Sequence, residues 1–283
     1  VLMFDFGAGT PDRRGDLRVN RWEIKDDFKT VRGPIRSVIH LLQAKRGGYD
    51  DGGRPYSGLT FHRTVLELPD GDLLAAVYCW FKGDNMPCSY QPKMCKFRCV
   101  LLRSNDRGRH WNFVSTIAVD SKVGEEGFDE PVMVRLSKGP KAGRLICLMR
   151  TGGHDCPIYQ SVSDDTGITW SIPKQLGFCG VDPDLIEMSG GTLACSFGWR
   201  TPNWAMPKPS SNLGNRLIFS QDQGDTWTHL TRFPIEPHAN TPWTTCYTSV
   251  CEIARNRLFV TFDIGKWGAP VRYIAGREIV VKR

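Results

Sequence analysis

Ser104-Asn105-Asp106-Arg107-Gly108-Arg109-His110-Trp111 decides the fold, because the same frame is written twice more. Ser-x-Asp-x-Gly-x-x-Trp returns as Ser163-Asp164-Asp165-Thr166-Gly167-Ile168-Thr169-Trp170 and as Ser220-Gln221-Asp222-Gln223-Gly224-Asp225-Thr226-Trp227. From Ser104 to Ser163 is 59 positions, and from Ser163 to Ser220 is 57. Self-similarity at a fixed period marks a repeat architecture, and a period of this length holds a four-stranded blade. Ser and Asp two residues apart turn their oxygens onto nearby backbone N–H groups and close a tight turn. The Gly supplies a positive φ at no steric cost, and the Trp re-enters a strand as an apolar lid. The frame therefore reads as a hairpin staple. One carboxylate per turn is too few for a metal site, so Asp106, Asp165 and Asp222 are read as structural.

A second element recurs between the staples: a strand, a turn, then an apolar strand. It runs from Arg63 through Gly71 into Leu73–Tyr78, and from Pro131–Leu136 into Leu145–Arg150. It returns from Pro183 through Gly191 into Leu193–Phe197, and from Tyr247–Ile253 into Leu258–Asp263. Arg277–Lys282 reads as one more strand, and no helical periodicity is sustained. The expectation is an all-β chain, a β-propeller of four-stranded antiparallel blades, five by the ~57-residue period. Residues 1–283 are read as one domain. Residues 1–59 complete the ring, an N-terminal strand joining the blade that holds the C-terminal strand.

The composition fits this picture. Gly 29 and Pro 18 in 283 residues suit many short strands joined by turns, and the apolar runs are too short to span a bilayer. The net charge of +7 is spread along the chain, which favours anionic partners such as acidic sugars over nucleic acid, for which no module is present. Cys147 and Cys195 fall at equivalent places in two strands and read as core residues. Cys88, Cys95 and Cys99 match no zinc spacing well, and no metal or cofactor is expected. The chain opens on Val1, read as a processed start and, with it, a secreted or periplasmic location.

In a propeller the first strand of each blade lines the central channel. The residues opening each repeat are Phe61-His62-Arg63, Phe128-Asp129-Glu130, Val181-Asp182-Pro183-Asp184 and Cys246-Tyr247. That set is unusually polar for the start of core strands, and it supplies the candidate site.

The three staples resemble the Asp-boxes of sialidases and of BNR-repeat proteins, and the resemblance covers residues 60–263. It implies a six-bladed propeller and an exo-glycosidase that removes a terminal sialic acid or a related acidic sugar. Cys246-Tyr247-Thr248-Ser249-Val250 is similar to the family's nucleophile strand and makes Tyr247 the nucleophile. Alignment on Gly191 puts Asp182 where the family has the Glu that takes the tyrosine proton, with Glu130 as its competitor. Asp84, the one carboxylate in the loop Trp80–Lys96, falls to the general-acid role. Arg63, Arg150 and Arg200 stand nearest the family's carboxylate-gripping arginines, with His62 and Asp129 beside them as substrate-binding candidates.

The chemistry explains the residue types. A tyrosine, with an ordinary pKa of about 10, needs a carboxylate partner to act as a nucleophile, and guanidinium groups hold anions through paired donors. Two other classes fit the same residues. One is a hydrolase or lyase of another acidic polysaccharide, with Tyr247 and His62 moving protons; the other is a glycan-binding propeller without catalysis.

Overall fold

The computed structural model describes residues 2–5, 7–49, 53, 55–56, 58–153, 156–199, 214–233, 246–265 and 273–282. Their regular structure is all β. The first sheet contains β1 (Leu2–Phe4), β2 (Gly7–Ala8), β3 (Asp16–Lys25), β4 (Thr30–His40), β5 (Leu59–Glu67), β6 (Leu73–Cys79), β7 (Arg98–Ser104) and β8 (His110–Ala118). The second is built from β9 (Asp129–Arg135), β10 (Leu145–Arg150), β11 (Pro157–Ser163) and β12 (Lys174–Cys179). The third holds β13 (Val181–Glu187), β14 (Leu193–Trp199), β15 (Gly214–Ser220) and β16 (Thr228–Phe233). The fourth holds β17 (Thr248–Ala254), β18 (Arg257–Ile264) and β19 (Tyr273–Val280). The chain forms two compact units, Val1–Pro131 with Gly167–Ile172, and Val132–Thr166 with Pro173–Arg283.

Each sheet contains an antiparallel meander built on one apolar strand: β6, β10, β14 and β18 in turn. β6 and β10 are buried along their whole length, as their unbroken runs Leu73-Leu-Ala-Ala-Val-Tyr-Cys79 and Leu145-Ile-Cys-Leu-Met-Arg150 require of strands covered on both faces. In the first unit the core collects Leu59, Val77, Val100, Leu102 and Trp111. In the second, one core joins Ile146, Leu148, Leu193, Cys195 and Phe197, and another joins Ala194, Leu217, Phe219, Val260 and Phe262. Cys147 and Cys195 are both fully buried at the third position of their strands. Burial pushes the Cys147 thiol up, well beyond the usual range.

The N-terminal segment follows another course from the one its sequence suggested. β2 pairs with β5 and β4 pairs in parallel with β8, so the described N-terminal strands widen the first sheet. β19 is the third strand of the fourth sheet, paired with β18. The described residues thus form four sheets, where the period gives five blades and the resemblance six. Residues 16–40 make one long hairpin that extends an existing blade.

The staples have the expected geometry. Ser104 Oγ accepts from Gly108 N at 2.8 Å and donates to Asp106 Oδ1, which also accepts from Arg109 N and His110 N at 3.0 and 2.9 Å. Ser220 and Asp222 repeat this with Gly224 N and Thr226 N, and Ser163 donates to Asp165 at 2.8 Å. The residue before each Gly is left-handed too: Arg107, Thr166 and Gln223 have φ of 63, 60 and 60°. The Gly carbonyls are tied outward: Ser37 Oγ donates to Gly108 O in the first unit, and Gln160 Nε2 to Gly224 O in the second.

Asp106 makes this turn sensitive to acid. Burial raises its carboxyl, but the N–H and ring of His110 and the Ser104 hydroxyl outweigh that and hold it at about 2. A carboxyl depressed from 3.8 contributes stability that is present above that value and lost as pH falls through about 2. Asp106→Asn is expected to lose about 1–2 kcal/mol at pH 7, roughly 2–8 °C in Tm, because it removes the charge and puts an amide NH2 where Oδ2 meets His110 Nδ1. Thermal melts from pH 7 to 2 check this: the variant's deficit shrinks toward the acid end.

Candidate active site

Backbone strain marks the start of each inner strand. Arg63 in β5, Glu130 in β9, Asp182 in β13 and Cys246 just before β17 have φ of 56, 38, 53 and 70°. Left-handed backbone at a residue with a side chain costs of order 1 kcal/mol or more. It is rarer still before proline, which drives its predecessor to extended backbone, yet Pro131 and Pro183 follow Glu130 and Asp182. Pairing slips at the same places, between Phe61 and Val65 and between Val181 and Asp184. Such bulges re-aim side chains. Three of the four strained residues, Arg63, Glu130 and Asp182, are ones singled out from the sequence.

In the first unit, His62 is buried and its Nδ1 lies 3.2 Å from the Pro131 carbonyl oxygen. A carbonyl only accepts, so Nδ1 carries a proton and donates it to this bond. The ring meets Tyr78 edge-on at 6.4 Å, and a ring nitrogen stands within 4.8 Å of a Glu130 carboxylate oxygen. Asp129 and Glu130 are 2% and 6% exposed, and Arg63 is half-buried. His62 and Glu130 are thus brought together as an imidazole–carboxylate pair suited to moving a proton.

Asp84 is held differently. It accepts from Arg98 Nε at 2.7 Å, from Arg98 Nη2, and from Phe81 N at 2.6 Å. The carboxylate is thus gripped by both prongs of one guanidinium and by the backbone of its own loop. The arrangement suits a structural carboxylate that ties its loop to β7. Asp84→Asn is expected to lower Tm by several degrees while leaving kcat within about threefold, checked on one preparation by melts and turnover.

In the second unit, the polar groups lie where β17 meets the third sheet. Asp182 Oδ2 accepts from Thr248 N at 3.0 Å, and Asp184 Oδ2 accepts from Ser249 Oγ and Val250 N at 2.7 and 2.9 Å. Thr248 Oγ1 donates to Ser196 Oγ at 2.9 Å. These bonds fasten the strand directly after Tyr247, which is itself half-buried. Behind it, β14 has Gly198, where an added Cβ would stand 2.0 Å from Cys246 Cβ and 2.2 Å from Cys246 O. The close approach of Cys246 to a bare backbone sets the entry to Tyr247.

Arg150 ends β10, is 6% exposed, and donates from Nε to Gly152 O at 3.0 Å. Arg200 lies outside the described residues. Sequence reading missed Arg216, a buried guanidinium 6.0 Å from the Trp199 ring. A signal for it existed: four residues before each staple Ser stand Val100, Tyr159 and Arg216, so a charge sits where the other copies are uncharged.

No known protein-family model matches the chain. No curated protein matches it either. Solved structures do. A protein of unknown function from Dyadobacter fermentans superposes at TM-score 0.67 and 19% identity, over 98% of this chain and 76% of that one. The Penicillium chrysogenum alpha-L-arabinanase, complexed with arabinobiose, matches at TM-score 0.56 and 18% identity, over 77% of this chain and 61% of that one. The NanB sialidase of Streptococcus pneumoniae matches at TM-score 0.54 and 18% identity, over 87% and 32%. The chain therefore spans less than two thirds of the arabinanase and about a third of the sialidase. The likeness shows the fold: an all-β chain of the β-propeller class seen in glycosidases.

Proposed function

We propose that the protein is a glycoside hydrolase acting on a terminal sialic acid or a related acidic sugar. The carrying observation is the hydrogen bond from Thr248 N to Asp182 Oδ2, which moors a buried carboxylate to the residue after Tyr247. The shared fold with glycosidases supports the reaction class. In this reading Tyr247 Oη attacks the anomeric carbon as its proton passes to Asp182 Oδ1. The bond to the aglycone oxygen breaks, the aglycone leaving as an alcohol with a proton from water. Asp182 then returns its proton to solvent and takes one from a second water, which attacks the anomeric carbon, breaks the aryl glycosidic bond and releases Tyr247, reprotonated at Oη. A tyrosine suits an anionic sugar, because its neutral hydroxyl does not repel the sugar's carboxylate as Asp or Glu would. Arg150, a buried cation at the end of β10, supplies the countercharge.

A second reading is favoured by Asp129 and Glu130, consecutive buried carboxylates at the head of β9. It is a two-carboxylate glycosidase of neutral furanosides, in keeping with the likeness to the arabinanase. Turnover assays on sialosides, uronate-bearing glycans and arabino-oligosaccharides separate the two. Cleavage of acidic sugars alone supports the first reading; cleavage of arabinosides that survives Tyr247→Phe and dies in Glu130→Gln supports the second. Arg150→Met is expected to raise KM at least about tenfold on an acidic sugar, with a smaller change in kcat.

A further inference from the structure

In the second unit a cavity of about 410 Å³ lies between β12 and β16, the outermost described strands of the second and third sheets. Its floor is Leu176, Phe178 and Ile218, which share one core. One wall is Trp227, half-buried and fixed in place: Nε1 donates to Gln160 Oε1 at 2.8 Å, and Phe178 meets the ring edge-on at 6.5 Å. The other end of the buried Gln160 amide donates to Gly224 O at 2.8 Å, so this side chain holds the indole to its own turn. The opposite wall is a bulge. Leu217 pairs with Thr231 and Phe219 with Thr228, so His229 and Leu230 both stand opposite the single Ile218. Both are exposed, and His229 has φ of 58°. Bulges re-aim side chains, and left-handed backbone away from glycine is held at a cost. On the β12 side Gly177 lines the cavity with bare backbone and has nothing within 4 Å of an added Cβ, an opening that lets another molecule come close. Lys174 and Asp225 complete the rim; Asp225 is ion-paired with Lys141, yet its side chain is 58% exposed.

We infer that this cavity is a second, non-catalytic sugar site, seating one neutral pyranose ring of a glycan against Trp227. A pyranose carries C–H groups on its faces and hydroxyls around its rim. The first suit the electron-rich face of an indole, and the second suit a rim with donors at Lys174 and His229 and an acceptor at Asp225. An acidic ring would bring its carboxylate to that of Asp225, so a neutral one fits better. A peptide strand fits worse, because the bulge at His229 interrupts the β16 edge with which it would pair. The cavity is at the small end of ligand sites, room for a sugar unit and not for a long chain. It stands apart from Asp182, which lies three strands in from β16 and four residues from Ile186, the residue in one row with Ala194, Phe219 and Thr228. That is on the order of 20 Å at about 4.8 Å per strand and 3.3 Å per residue. One aromatic wall and a few exposed hydrogen bonds give a Kd of the order of 1 mM.

Proton–nitrogen NMR of the indole N–H groups, nine in this chain, tests the site. The probes are the methyl glycosides of glucose, galactose and xylose, the uronates of the first two, and an alternating apolar hexapeptide, each from about 0.1 to about 20 mM. The indole signal missing from Trp227→Phe is expected to shift and saturate with at least one neutral glycoside, and its uronate binds at least about threefold more weakly. His229→Gly, which suits the left-handed backbone, and Lys174→Ala each raise Kd at least about threefold with Tm unchanged. Trp227→Ala abolishes binding but also removes a neighbour of the core, so the two exposed positions carry the test. No saturable shift with any neutral glycoside overturns the proposal, as does a shift produced by the hexapeptide alone. Binding indifferent to both His229→Gly and Lys174→Ala overturns it too, as do uronates that bind as tightly as the neutral rings. Loss of turnover in Tyr247→Phe beside a silent Trp227 signal overturns this site and leaves the catalytic reading standing.

Discussion

Tyr247→Phe abolishes turnover, with kcat falling at least about 10³-fold, while Tm stays within about 2 °C. The substitution removes one oxygen and keeps the ring, so the half-buried side chain packs as before. The bonds from Thr248 N to Asp182, from Thr248 Oγ1 to Ser196 and from Ser249 Oγ to Asp184 all lie beyond it. Substrate binding is largely retained, so KM moves little. Ser163→Ala is the matched control: it removes a hydroxyl from a staple, costs a degree or two of Tm, and leaves kcat unchanged. Steady-state kinetics beside melts separates the two kinds of loss.

Gly198→Ala carries the largest stability effect. Its new Cβ would fall 2.0, 2.2 and 2.6 Å from Cβ, O and Cα of Cys246. Backbone atoms cannot swing aside as a side-chain tip can, so β14 and the entry to β17 must part. Overpacking of this kind costs about 3 kcal/mol, roughly 6–12 °C in Tm for a chain of this size. Because Cys246 directly precedes Tyr247, turnover falls further than the melt alone explains, at a temperature where the variant is still folded. Gly177→Ala, where nothing lies within 4 Å of an added Cβ, is the neutral comparison.

What could be read from the sequence was what is local. A staple closes within five residues, from Ser104 to Gly108, so its pattern is complete in one glance. The spines announce themselves as apolar runs, which is why β6, β10, β14 and β18 fall where expected. The N-terminal hairpin was opaque for the opposite reason. Its partner is β8, met through Val38 and His110, and nothing in residues 16–40 says which edge they will join. The site was half legible. Polar residues at the head of core strands stood out, and three of them hold left-handed backbone that no local rule assigns to Arg, Glu or Asp. The commitment of Asp84 to Arg98 is a tertiary pairing, invisible until the loop and β7 are side by side. Asp184 shows the same limit: next to Asp182 but for one proline, it is spent on Ser249 and Val250.

The central claim is that Tyr247 is the nucleophile, and trapping tests it most directly. The protein is incubated with a fluorinated, activated glycoside of whichever acidic sugar it cleaves, then digested and mapped by mass spectrometry. A single glycosyl adduct on Tyr247, absent from Tyr247→Phe, is the predicted result. An adduct on a carboxylate such as Glu130 or Asp129, or undiminished labelling of Tyr247→Phe, would contradict it.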